Sequence, residues 1–188
     1  MELLILGLVL FLGIHLVPTL PAFRNKLFAK LGEKRYKGMF SVISAAGLVL
    51  IVIGYARAPS EPRLFNPYPA AIMIAPLAMV ISFILLAAAN MKTHIRRMVV
   101  HPMLIGVGIW AIVHLLANGH AKATVLFGAF LAYAVLDLLS AVARHATKSF
   151  TPVARQDVIA VVAGTVLALL VMVFHRKLFG VMAVGWGV

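Results

Sequence analysis

The chain has 188 residues, 63% of them hydrophobic, and a mean hydropathy of +1.06, well above the roughly 45–50% apolar content of soluble domains. Such a composition excludes an ordinary water-soluble domain and predicts an all-α integral membrane protein. The formal charge of +12 does not point to nucleic acid, because the cations fall almost wholly in short loops between apolar runs. Cysteine is absent, which removes disulfides, thiolate zinc, iron–sulfur clusters and thiol nucleophiles and leaves histidine as the soft ligand.

Six uncharged or nearly uncharged runs follow one another: 3–20, 38–56, 64–91, 98–121, 123–143 and 158–175. Each meets the ~18–20 residues needed to cross about 30 Å of hydrocarbon, so the chain reads as one six-helix transmembrane bundle, a single domain over 1–188. The first run follows Met-Glu with no positive flank and no small-residue cleavage pattern, so it is expected to be retained as a helix. Pro18 and Pro21 end or kink it, and Pro59, Pro62, Pro67 and Pro69 stiffen the loop after the second. Pro76 interrupts the third run, where neighbours can re-satisfy the freed backbone. Pro102 stands near the start of the fourth and Pro152 before the sixth. The final "LFGVMAVGWGV" is too short to span and is expected to lie at an interface anchored by Trp186, or to fray.

Twelve of the seventeen Lys and Arg residues follow the first, third and fifth runs: Arg24, Lys26, Lys30, Lys34, Arg35, Lys37, Lys92, Arg96, Arg97, Arg144, Lys148 and Arg155. By the positive-inside rule these face the cytoplasm and both termini lie outside. The expected setting is a membrane, with lipid as the solvent.

Ionisable groups within spans are costly and are functional hypotheses by default. His15, His114 and Asp137 are three such groups; the alternative for each is interhelical hydrogen bonding. Imidazole is the common protein ligand of haem iron, and bundle cores build cofactor sites from facing helices. Trp110 lies one turn before His114, and Gly106, two turns before, would leave a flat gap beside it. Core packing and close helix approach are the competing readings of that pair. No two histidines stand three or four apart on one helix, which disfavours zinc or a two-metal centre. His101 and His114 are thirteen apart, about 140° around a helix, and cannot share one metal.

Depth complicates a His15–His114 pair. His15 lies roughly 7 Å inside the cytoplasmic end of the first helix and His114 roughly 18 Å from Pro102, whereas axial nitrogens on one iron approach within about 4 Å, at ~2 Å per bond. Three resolutions stand open: helix ends differ by several residues, the side chains reach obliquely, or His101 is the partner of His15. Asp137, with Tyr133 one turn away, either orients a histidine or is neutralised by Arg97 or Arg144. Arg35, Arg96 and Arg97 are placed to meet haem propionates, topology signals or anionic headgroups.

Four collinear segments carry a resemblance: "LGIHLVP" (12–18), "GEKRYKGMFSVISAAGLVLIVIGYARA" (32–58), "IRRMVVHPMLIGVGIWAIVHLLANG" (95–119) and "LFGAFLAYAVLD" (126–137). They resemble the NnrU family of bacterial membrane proteins, associated with nitrite and nitric oxide metabolism in denitrifiers. They are similar, more distantly, to the ζ-carotene isomerase of plants and cyanobacteria, a membrane enzyme that uses haem b to isomerise a cis double bond. The resemblance implies haem b, with His15 and His114 as axial ligands in contexts similar to "GIHL" and "W-x-x-x-H", and favours His114 over His101 as the partner of His15; Gly106, Trp110, Arg35, Arg97 and His101 are expected around the cofactor from their positions alone. It implies a lipid-soluble polyene or nitric oxide as small partner, and a respiratory or redox protein as large one. Two positions depart from the pattern. Ala111 stands where the isomerase has an exchangeable cysteine ligand, which puts isomerisation in doubt, and Val100 stands where arginine usually precedes His-Pro. The His-Pro element is also similar to that of isoprenylcysteine-type methyltransferases, but the tail after Val158 lacks the acid those enzymes use.

Overall fold

The structure is a computed structural model that describes all residues except Lys148, Met182 and 185–188; the expected anchor Trp186 lies outside the described residues. Eight α-helices are described: α1 (Glu2–Leu16), α2 (Pro21–Leu31), α3 (Glu33–Arg57), α4 (Pro69–Ala88), α5 (His94–Val99), α6 (Pro102–Leu116), α7 (Ala121–Ala143) and α8 (Ala154–Phe179). Five of the apolar ones are long enough to cross a membrane: α1 with its 3-10 extension to Thr19, α3, α4, α7 and α8. The sixth, α6, has 15 residues, about 22 Å of helix, and falls short of the hydrocarbon thickness alone.

Prolines explain where these helices depart from the apolar runs. The fourth run starts inside one helix and continues in the next, because Pro102 has no N–H and its ring clashes with the carbonyl four residues back, so α5 stops at Val99 and α6 starts at Pro102. Pro69 likewise opens α4, five residues after the apolar run begins. Pro18 turns the end of the first run into a 3-10 turn, Val17–Thr19. The basic segment after it, expected as loop, folds as α2. Phe28 of α2 stacks on Tyr36 of α3 at 4.5 Å, and Arg24 lies over Phe28 at 4.6 Å.

The six apolar helices pack in the neighbour order α3, α1, α7, α6, α4, α8. Glycines make the tightest contacts. A Cβ at Gly7 would meet the Ile51 nitrogen at 2.6 Å, one at Gly47 the Phe11 nitrogen at 2.7 Å, and one at Gly164 of α8 the Ile84 Cα at 2.6 Å. Lipid-phase association depends on such close approach because there is no hydrophobic force between helices. Outward faces stay apolar and exposed, as at Val9, Val52, Met73, Leu77, Leu139 and Val162, which is the signature of a lipid-facing surface.

Loops hold the two ends. At one, Ser140 Oγ donates to Thr19 O at 3.2 Å and Val153 N–H to Lys92 O at 2.8 Å; this end carries Lys92, Arg96, Arg97, Arg144 and Arg155 and is termed the basic end. At the other, the α3–α4 loop is stitched to the α6–α7 turn by Leu64 N–H to Gly119 O (2.7 Å) and Tyr68 N–H to Leu116 O (3.0 Å).

Gly106 faces α4. A Cβ there would meet Ser82 O at 3.0 Å, and the fully buried Ser82 donates its hydroxyl to Gly106 O at 2.8 Å. Ser82→Ala is expected to lower stability by about 0.6 kcal/mol, the average for a membrane hydrogen bond, in thermal unfolding of the detergent-solubilised protein. A loss beyond the measured maximum of about 1.7 kcal/mol would show that the contact does more than join two helices.

Candidate functional site

The structure does not bring His15 and His114 together. His15 packs edge-on against Tyr133 of α7 at 6.3 Å and Phe40 of α3 at 5.0 Å. His114 packs on Phe127 of α7 at 4.8 Å and on His175 of α8 at 6.4 Å. Phe127 and Tyr133 are six residues apart on one helix, about 9 Å along the bundle, so the two imidazoles pack at different levels of α7. The space between is filled by rings: Phe11 against His15 (4.3 Å), Phe130 against Phe11 (5.9 Å), Trp110 against Phe130 (5.3 Å) and Trp110 against His114 (5.4 Å). The antiparallel course of α6 relative to α1 is the cause, since both histidines sit in the last turn of their helices.

Gly106 does not flank that region either. Eight residues rotate about 80° around a helix, which turns Gly106 onto α4 while Trp110, at about 40°, stays on the His114 side. The expected flat gap is occupied by Ser82, Leu85 and Leu86 of α4. Trp110 packs as core between Phe127, Phe130 and His114. Ala111, on the same helix, is fully buried.

The other expected residues gather at the basic end. A cavity of about 660 Å³ lies between α5, α6, α7 and the α7–α8 loop, with Arg96, Arg97, His101, Tyr133, Asp137 and Phe150 among its lining residues. This is within the ~300–1,000 Å³ range of small-molecule and cofactor sites. Arg96 and Arg97 reach it from α5, Arg96 lying over the Phe150 ring at 5.0 Å. Arg35, exposed in the first turn of α3, does not line it.

His101 is presented by unusual backbone. Val100 between α5 and α6 has φ 64° and ψ −52°, and the His101 N–H bonds Val99 O at 2.7 Å, a strained γ-turn of positive φ. A β-branched residue in that region is a conformational outlier, and such strain concentrates at functional sites. Pro102 fixes the other flank. Between them the His101 side chain is held at the cavity wall.

The wall is braced from two sides. Thr93, fully buried, caps α5 by accepting the Arg96 N–H at 2.9 Å. Asp157 in the first turn of α8 accepts the Ile95 N–H at 3.2 Å and bonds His94 Nδ1 at 2.6 Å, so α8 holds α5 in place. On α7, Tyr133 donates its hydroxyl to Asp137 at 3.1 Å, and Arg144 approaches Asp137 at 3.9 Å. Asp137 is therefore neutralised by Arg144 and hydrogen-bonded by tyrosine, while the His15 ring bonds Phe11 O at 2.6 Å. Leu104 lines both the cavity and a second, apolar groove of about 270 Å³ between α6 and α7, formed by Ile105, Ile109, Ile112, Leu131, Val135 and Leu138 among others. The combination of two guanidiniums, an imidazole and an adjoining apolar groove suits an amphipathic anion.

Phe150 and Thr147 of the α7–α8 loop, which complete the lining, were invisible to spacing arguments because the loop that brings them has no periodic pattern. Among the described residues no cluster of three or more His, Cys, Asp or Glu is placed to hold a metal. No curated protein and no solved structure matches the chain. The family model described as "NnrU protein" matches residues 3–183, which covers every helix and both lined spaces, and the chain therefore belongs to the NnrU family.

Proposed function

We propose that this NnrU-family membrane protein binds haem b in the basic-end cavity, with His101 as an iron ligand and Arg96 and Arg97 directed at the propionates. The observation that carries this reading is the meeting of one imidazole and two guanidiniums in a space of cofactor size, where the strained Val100 turn fixes the imidazole. The resemblance to haem-dependent membrane isomerases supports the choice of haem; a lone His15–His114 site is disfavoured by their separation. When bound, haem supplies iron that can exchange electrons or take a small gas ligand. The chain's own residues anchor and orient: Arg96 and Arg97 as charge-assisted donors, Tyr133 and Asp137 as a hydrogen-bonded floor, and Phe150 as an apolar wall beneath Arg96. The setting proposed is the bacterial inner membrane with the basic end in the cytoplasm and both termini outside.

The test is the visible spectrum of purified protein reconstituted with hemin, before and after dithionite. Wild type is expected to show a Soret band and reduced α and β bands; His101→Ala loses the band or shifts it to that of loosely held haem. His15→Ala and His114→Ala keep it. A colourless wild type, or loss in His114→Ala with retention in His101→Ala, would overturn the assignment.

A further inference from the structure

Beside the basic-end cavity a second space opens on the flank of the bundle between α6 and α7, and nothing in the haem reading uses it. We infer that this groove, of about 270 Å³, is a binding site for one acyl chain of an anionic phospholipid whose phosphate meets Arg97 at the rim of the cavity. Leu104, Gly108 and Ile112, one turn apart along α6, line it together with Leu131, Val135 and Leu138 of α7. Such spacings, four residues on one helix and three or four on the other, make a continuous apolar stripe on each, so the groove follows the helices rather than crossing them.

Small residues create the space. A Cβ at Gly108 would meet nothing within 4 Å, and Ala134, buried, is the floor on α7. Ile112 and Val135, 43% and 48% exposed, stand on the outer side, where the bundle meets lipid. From Leu104 to Ile112 the groove runs eight residues, about 12 Å at the helical rise. One hydrocarbon leaflet is about 15 Å deep, half of a core about 30 Å thick. A single lipid chain entering from the basic side matches the groove in both length and direction.

The head of the groove selects the lipid. Leu104 lines both spaces, so a chain lying in the groove brings its polar end to the cavity rim, among Arg96, Arg97 and His101. Arg96 is already engaged, over the Phe150 ring at 5.0 Å and toward Met91 O at 3.5 Å. Asp137 has Arg144 and Tyr133 as partners. Arg97 is exposed and has no carboxylate partner among the described ion pairs, which leaves its guanidinium for a phosphate that it can meet with two parallel hydrogen bonds. A zwitterionic headgroup carries a cation of its own beside the phosphate and gains less from a basic surface. The lipid site shares Arg97 with the haem reading and stands without it.

Haem-free, full-length protein in detergent, titrated with phosphatidylglycerol or with phosphatidylcholine of the same acyl chains and read by native mass spectrometry, tests the site. Wild type is expected to hold one phosphatidylglycerol at least about tenfold more tightly than one phosphatidylcholine, the scale of a hydrogen bond to a charged group. Gly108→Leu fills the groove without changing charge and is expected to lose the tight lipid, while melting no lower than wild type because leucine is the better helix former. Arg97→Gln is expected to lose the preference between the two lipids; Arg57→Gln, at the far end of α3, keeps it. Hemin reconstitution of Gly108→Leu is expected to follow wild type, so a colourless preparation removes the haem reading and leaves the lipid result standing. Equal retention of the two lipids by wild type, undiminished phosphatidylglycerol binding in Gly108→Leu, or an unchanged preference in Arg97→Gln would overturn the proposal. So would a dimer of the haem-free protein that Gly108→Leu dissociates, since a second copy would then fill the groove.

Discussion

Gly54→Val is expected to leave little or no folded, monodisperse protein. A Cβ at Gly54 would run into the Leu4 nitrogen and stand 2.6 Å from its Cα and 2.7 Å from the Leu3 carbonyl carbon, all backbone atoms that cannot rotate aside. The whole α1–α3 seam has to open to admit it. Gly7 and Gly47 share that seam, so separation at one point loosens the other two. Overpacking usually costs about 1–3 kcal/mol and more where backbone must shift; against a total stability of about 5–15 kcal/mol, a change at or beyond the upper end is expected. Thermal unfolding and size-exclusion profiles in detergent read it, with Gly54→Ala intermediate. Gly13→Val serves as the control, since a Cβ there meets nothing within 4 Å. An unchanged melting profile for Gly54→Val would mean that α1 and α3 lie farther apart than described.

Val100→Gly is expected to move stability and affinity in opposite directions. Strain at a β-branched residue with φ 64° is worth about 1–3 kcal/mol, and glycine relieves it while adding about 0.5–1 kcal/mol of unfolded-chain entropy. A net gain of about 1 kcal/mol is expected in thermal unfolding. The same freedom lets the His101 backbone sample other directions, so hemin titration is expected to show affinity reduced several-fold, because a binding-competent state that is only partly populated binds in proportion to its population. A variant that both melts lower and binds hemin as wild type does would show that the turn is structural only.

Hydropathy made the six apolar helices legible because a membrane leaves helices as the simplest way to satisfy every backbone group. Their ends were less so. Pro102 and Pro69 carry the boundary rule plainly, yet the apolar runs extend past both, and composition over a long window outweighs one residue. The helix α2 escaped notice because its cations, Arg24, Lys26 and Lys30, and its phenylalanines are spread around the helix rather than sorted onto two faces; what orders it is Phe28 stacking on Tyr36, a contact between helices. Counting turns placed Trp110 correctly beside His114 and misplaced Gly106, because two turns of an α-helix are 7.2 residues and eight overshoot by most of a quadrant.

The cavity shows the limit more sharply. Arg97 and His101 were candidates from position alone, and the structure brings both to it with Arg96, but no periodicity announces that the α7–α8 loop closes over them. His175 stood at the edge of the last apolar run and drew no attention, since His114, on which its ring packs, is on a helix far away in sequence and the two meet only because α4 packs against both. Polar residues that meet across such distances become visible only when the neighbour order is known.

That neighbour order bears on how the protein is made. α1 and α3 emerge first from the ribosome and already complement each other through their glycines, so they can pair as soon as both are in the bilayer. α4 then arrives with no finished surface to join, because its neighbours α6 and α8 are still untranslated. During that interval Ser82 has no carbonyl from α6 to accept its proton, and Ile84 faces lipid instead of Gly164. Biogenesis is therefore expected to proceed through an early two-helix intermediate and a late step that waits for the final helix, and chains halted before α8 should be the ones that quality-control proteases recognise.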